Sequence, residues 1–155
     1  MLRSSLALCG VRVMCVFVLA AVAGCNRSPY EMAQVHGVVT VDGKPLPACQ
    51  VMFAPRAKDG AIESGKPAIG WLDEQGRFKL STYSDGDGAV VGEHLVTLYG
   101  PANTADLPAG IPKFKRVAIQ GKAIQVEAGK DNEVKIDLAL KDLQPRTFQG
   151  RKLKQ

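Results

Sequence analysis

What the sequence has little of narrows its chemistry first. Its longest unbroken apolar run, residues 13–23, is eleven residues long, well short of the roughly 20 that a membrane-spanning helix needs. There are only two histidines, His36 and His94, and neither a G-x-S-x-G nor an H-E-x-x-H pattern occurs. A nucleophile with its base, or a zinc-binding helix, therefore has no recognisable seat. Of the four cysteines, Cys9, Cys15 and Cys25 fall in the first 25 residues, leaving Cys49 alone beyond them. A lone thiol can make neither an internal disulfide nor a cysteine zinc site. No stretch keeps a helical period for two turns, and there is no internal repeat.

A surplus of one charge sign is missing from the body of the chain as well. The formal net charge is +5, which taken alone would suit a nucleic-acid partner. Between Cys25 and Leu140, however, 13 Lys and Arg stand against 14 Asp and Glu. The excess lies outside that body, in Arg3 and Arg12 and in residues 141–155, where Lys141, Arg146, Arg151, Lys152 and Lys154 meet only Asp142. Nucleic-acid binding needs a basic face on the folded part, so none is expected here. Turn-forming residues, by contrast, are plentiful: 16 Gly and 9 Pro, with 46% apolar residues. That is an ordinary core cut into short segments, the profile of strands, in a chain long enough for one domain.

The opening residues have a logic of their own. Arg3 and Arg12 form a positive segment, the apolar run follows, and it ends in Val22-Ala23-Gly24-Cys25. The run has the length of a signal-peptide core, and the ending resembles the lipobox of bacterial lipoproteins. The resemblance implies a signal peptide cleaved after residue 24 and a lipidated Cys25. It also implies an exported protein anchored to a bacterial membrane, on the periplasmic face or the cell surface. An acyl chain contributes about 0.8 kcal/mol per buried CH₂, so two or three chains on one residue make a lasting anchor. Residues 26–34 read as a polar tether, which at roughly 3.6 Å per residue reaches about 30 Å.

From Val35 onward the pattern has period two, that of strands with one face turned inward. Val35, Gly37, Val39 and Val41 share one phase, and Asp42-Gly43-Lys44-Pro45 is a strong turn signal. Residues 49–54 make a second strand. Residues 68–72 and 77–81 flank Asp73-Glu74-Gln75-Gly76 and read as a hairpin. Residues 94–99 and 117–128 follow, separated by a long loop over 100–116. The last strand, 132–140, turns Val134, Ile136, Leu138 and Leu140 inward and Lys135 and Asp137 outward. Seven short strands imply an all-β, antiparallel β-sandwich over residues 35–140. Its expected core is Val39, Val41, Val51, Phe53, Phe78, Leu80, Val96, Leu98, Val126, Val134, Ile136 and Leu138. The basic segment 141–155, broken by Pro145 and Gly150, is expected to be a largely disordered tail.

Three stretches in order carry a family resemblance. They are Val35-His36-Gly37-Val38-Val39-Thr40-Val41-Asp42-Gly43-Lys44-Pro45-Leu46-Pro47, Leu72-Asp73-Glu74-Gln75-Gly76-Arg77-Phe78-Lys79-Leu80 and Gly92-Glu93-His94-Leu95-Val96-Thr97-Leu98. Together they resemble the carboxypeptidase regulatory-like (transthyretin-like) domain, in the small lipoprotein form abundant in planctomycete bacteria. The resemblance implies a seven-stranded, prealbumin-like sandwich and a non-catalytic accessory or binding module, with no catalytic set to carry over. Leu72 stands where the family often has Thr, and His94 where it usually has a core aromatic.

The candidate sites follow from this frame. His94 shares a phase with Val96 and Leu98 and is expected inside as a neutral imidazole with one partner, while His36 is on the polar phase with Thr40. Cys49, in phase with Val51 and Phe53, is expected to be a buried, inert thiol. Asp85 and Asp87 invite a calcium reading, but loop position 12 from Asp85 is Val96 rather than Glu. Neither a metal nor a cofactor is therefore expected. Trp71 alternates with Leu72, and packing between the sheets is the expectation; an exposed Trp71 or Tyr83 would instead offer a stacking surface for a sugar. The end of the long loop, Lys113-Phe114-Lys115-Arg116, offers three cations and an aromatic to an acidic or anionic-glycan partner. Phe114 could equally plug the end of the sandwich. The functional expectation is a membrane-anchored, non-enzymatic binding or scaffolding module whose partner is an envelope protein or glycan. The alternatives are a glycan-binding module and an accessory subunit of a cell-envelope hydrolase.

Overall fold

Strand alternation sets the architecture. The computed structural model describes residues 29–57, 64–119 and 123–143. The lipobox with Cys25, most of the polar loop after Ala57 and the end of the basic tail lie outside the described residues. Eleven strands are present among those described: β1 (Met32–Ala33), β2 (Val35–Val41), β3 (Lys44–Pro45), β4 (Gln50–Pro55), β5 (Ala68–Trp71), β6 (Arg77–Lys79), β7 (Ala89–Val90), β8 (Gly92–Tyr99), β9 (Arg116–Ala118), β10 (Ile124–Val126) and β11 (Asn132–Leu138). Each of the seven expected strands is there. The stretch expected as one strand over 117–128 is two, β9 and β10, which lie along the same edge of β8. Three two-residue strands, β1, β3 and β7, are too short to show a period.

Two sheets face each other. One is β11-β2 with β3 and β6 sharing the far edge of β2; the other runs β5-β4-β8 with β9 and β10 beyond. Their inward phases form one core containing all twelve residues expected there, together with Leu46, Cys49, Ala68, Leu72, Phe114 and Leu143. Phe53 on β4 and Phe78 on β6 meet across the sandwich with ring centroids 6.0 Å apart.

One pairing departs from the antiparallel rule. β2 and β11 run parallel over seven residues, Val35 opposite Asn132 through Val41 opposite Leu138. Parallel neighbours need a long crossover, and nearly the whole domain serves as this one. The register matches the inward phases, Val39 beside Ile136 and Val41 beside Leu138. Gly37 belongs to the same phase, and a Cβ there would stand 2.0 Å from the Val134 carbonyl oxygen and 2.9 Å from the Phe78 ring. Only glycine lets β11 and that ring close over this point.

The turns follow their sequence signals. Asp42 and Gly43 take φ of 48° and 76°, the two positive values a two-residue hairpin turn requires. The expected hairpin over 68–81 is held only at its ends. Asp73 N donates to Arg77 O at 3.0 Å, and Ile69 and Ser81 exchange two bonds of 2.9 Å. Between those points β5 pairs with β4 and β6 with β2, so the arms part and join the two sheets along one side.

Both ends of the expected domain need correction. The tether does not run free to Gln34: Met32 and Ala33 pair with Val90 and Ala89, and Val91 N donates to Glu31 O at 2.9 Å. Ala33, an apolar residue at the end of a polar stretch, is buried. The tail likewise does not begin at residue 141, because Leu140–Leu143 form a 3₁₀ turn and Leu143 is 0% exposed. At each end an apolar side chain of a largely polar stretch, Ala33 or Leu143, is buried.

Candidate functional face

The outward phases of the two sheets differ sharply. On the β11-β2-β6 sheet they present His36, Thr40, Arg77, Lys79, Glu133, Lys135 and Asp137, with Val38 among them. Several of these groups have partners nearby: Lys135 pairs with Glu133 at 3.2 Å, Thr40 donates to Asp137 at 2.6 Å, and His36 Nδ1 lies 3.0 Å from Asp131. This is an ordinary solvated sheet face.

The outward face of the β5-β4-β8 sheet is built differently. Its registers place Trp71 beside Gln50, Gln50 beside Tyr99 and Tyr99 beside Arg116, four side chains in one row across four strands. The next row is Ile69, Met52, Thr97 and Ala118, and Leu95 lies beside Ala54 beyond it. Trp71 is 70% exposed, Leu95 53% and Ile69 39%. Among the described residues the only ion pair on this face is Arg56 with Glu93, 2.9 Å apart at its far end. An exposed apolar patch bordered by polar groups is the usual mark of an interaction surface.

The candidate residues sort onto this framework. Trp71 was expected between the sheets; instead Ala68, Gly70 and Leu72 take the inward phase and Trp71 and Ile69 the outward one. Arg116 joins the same row, and Lys113 and Lys115 are exposed on the segment leading to it. Phe114 is separated from them. Its ring is buried in the core, at the end of the sandwich where Gly100 N donates to Lys115 O at 3.1 Å, so it offers a partner no surface. The loop around it is tacked down by Leu107 and Ile111, which pack on the core. Tyr83 lies elsewhere, under Lys66, whose Nζ is 5.2 Å from its ring centroid.

Gln50, Met52, Leu95 and Tyr99 were not singled out from the sequence. Their signal was there: β4 and β8 carry apolar residues in both phases, Met52 and Leu95 as well as Val51 and Val96, whereas β11 alternates Val, Ile and Leu with Glu, Lys and Asp.

The remaining candidates have local explanations. His94 is 0% exposed, stacks 6.0 Å from Phe53 and donates from Nε2 to Val90 O at 2.7 Å. Cys49 is fully buried, and burial pushes its thiol up to about 12, far from a reactive thiolate at neutral pH. The Asp87 carboxylate accepts from the backbone N–H groups of Thr82, Tyr83 and Ser84 at 2.7–2.9 Å. It organises its own turn. Among the described residues no three His, Cys, Asp or Glu side chains gather as a metal ion would require.

Two open hollows border the docked tether. One, of about 630 Å³, is lined by Met32, Gln34, His36, Lys79, Lys130 and Asp131; the other, of about 300 Å³, includes Tyr30, Glu31, Arg56 and Glu93. Both exist because β1 crosses that end of the sandwich. The molecule is thus an all-β sandwich with one charged face and one apolar, aromatic face. The chain matches no protein-family model, no curated protein and no solved structure.

Proposed function

We propose that the protein is an exported lipoprotein, acylated at Cys25, whose sandwich binds a partner through the outward face of the β5-β4-β8 sheet and catalyses no reaction. The observation that carries this reading is the asymmetry of the two faces. Trp71, Ile69 and Leu95 stand exposed on one, while the other presents mainly charged and polar side chains. Covering a Leu or Ile side chain is worth about 1.5–3 kcal/mol when complete, so the face gains from an occupant and the charged sheet does not.

The position of the tether supports the same reading. Glu31, whose carbonyl accepts from Val91 N, is six residues from Cys25 and so at most about 20 Å from it at the extended rise per residue. The tether joins at the Gly92 end of β8, whereas Tyr99 and its row are at the other end, about 20 Å further along the strand. An anchor at one end leaves the aromatic row directed away from the membrane. The resemblance of residues 35–47, 72–80 and 92–98 to the carboxypeptidase regulatory-like domain agrees with a non-catalytic module.

Crosslinking in intact cells tests it. Ile69→Lys with Leu95→Lys places two cations on the proposed face, and Val38→Lys places one on the opposite sheet. Loss of the crosslinked adducts in the first variant alone is the expected result. Adducts that persist in it, or vanish equally in both, contradict the reading.

A further inference from the structure

We infer that the occupant of this face is an extended anionic polysaccharide lying along the row Trp71–Gln50–Tyr99–Arg116. The inference rests on the binding face proposed above and adds its ligand class. Three features of the row point to it.

The first is shape. The row crosses four adjacent strands, so at about 4.8 Å per strand it is about 14 Å long, the length of roughly three linked pyranose rings. A small ligand would need a concave site that surrounds it, and neither of the two hollows beside the tether includes any of these four residues. A linear polymer gathers its contacts along a row instead.

The second is the order of chemistries. Trp71 presents an open indole, which suits the C–H face of a sugar ring. Gln50 follows with an amide that both donates and accepts, the match for sugar hydroxyls. Tyr99 is the second aromatic, its hydroxyl 4.0 Å from the Met52 sulfur. Gln50 separates the two aromatics, so they stand two strand spacings apart, about 10 Å, and meet alternate rings of one strand.

The third is charge. Arg116 ends the row and has no ion pair among the described residues, and exposed Lys113 and Lys115 precede it. The acid nearest the Trp71 end, Asp73, turns its Oδ1 onto the backbone N–H groups of Gln75 and Arg77 at 2.9 and 2.8 Å. Glu93 is paired with Arg56 at the far end of the face. A free guanidinium, with two exposed ammonium groups on the segment leading to it, suits sugar carboxylates, which a guanidinium can hold through two hydrogen bonds.

Trp71 is the only tryptophan, so the site carries its own reporter. Full-length protein in detergent micelles is titrated with polygalacturonate while indole emission is followed, with a neutral glucan in parallel. The expected result is a saturable shift to shorter wavelength with polygalacturonate, weakened by added salt. By calorimetry Arg116→Ser binds about tenfold more weakly and Trp71→Ala about fivefold to tenfold, while Lys135→Ser on the opposite sheet binds as before. Unchanged emission with polygalacturonate, or affinity that survives both row substitutions, overturns the inference. So does free protein whose indole is already shielded by self-association that Trp71→Ala abolishes, since a second copy then holds the face. If polygalacturonate fails while the adducts in cells still depend on Ile69 and Leu95, the ligand class is wrong and the binding face stands. If both fail, the face itself is wrong.

Discussion

Replacing Leu143 by Ala tests where the folded domain ends. Leu143 is 0% exposed and belongs to the same core as Phe53 and Phe78, although five basic residues and only one acid surround it in the segment 141–155. It is brought there by the Leu140–Leu143 turn, in which Asp142 N donates to Ala139 O at 2.8 Å and Asp142 Oδ2 accepts from Ala139 N at 3.1 Å. A buried Leu cut to Ala costs about 2–5 kcal/mol, depending on how far the surroundings collapse. This one follows the last strand, where the chain relaxes readily, so the lower part of that range, about 2–3 kcal/mol, is expected. Against a total of about 5–15 kcal/mol for an ordinary domain, that is a large fraction. Urea unfolding of the full-length protein should show a lower midpoint with an unchanged slope. Termination after Leu140 should destabilise at least as much, and termination after Leu143 very little. A loss below about 0.5 kcal/mol for Leu143→Ala, the scale of ordinary surface changes, would refute the docking.

Other expectations follow from the core and the face. Gly37→Ala drives a methyl against the Val134 carbonyl, 2.0 Å away; a loss of about 3 kcal/mol or more is expected, and near-wild-type urea stability would mean β2 and β11 are not packed in this register. Phe78→Ala should cost about 3–5 kcal/mol, while Trp71→Ala, on the exposed phase, should stay within about 0.5 kcal/mol; comparable losses at the two positions would contradict the strand phases. Cys49, with its thiol raised from 9.0 to about 12 by burial, should resist alkylation in the native protein at pH 8 and react once urea unfolds it, as peptide mass analysis would show. The unfolded chain loses this proton first, so its contribution to stability is full below about pH 9 and is lost as pH rises towards 12. Stability that does not fall over that range would contradict the assignment.

The core was legible because period two is a long-range signal: Val134, Ile136 and Leu138 announce their face whatever they pack against. Pairing was less legible. Val35–Val41 and Asn132–Leu138 each show an inward face, but nothing local says that these two strands, about a hundred residues apart, lie side by side and parallel. The docked ends escaped for a related reason, because Ala33 and Leu143 are single apolar residues whose burial depends on tertiary neighbours. Phe114 and Arg116 belong to one basic, aromatic stretch, yet the fold sends one into the core and the other onto the face. The row itself joins residues 50, 71, 99 and 116, and only strand register brings them together.

Hydroxyl-radical footprinting of the protein in intact cell envelopes, compared with the purified full-length protein, reads whether the β5-β4-β8 face is covered. Trp71, Met52, Ile69 and Leu95 react readily when exposed and lie on the proposed face, while Val38 on the opposite sheet serves as the internal reference. A bound partner gives strong protection of the four in the envelope, Trp71 most of all, with Val38 unchanged. Equal reactivity of the four in the two preparations would show the face to be bare and refute partner binding there.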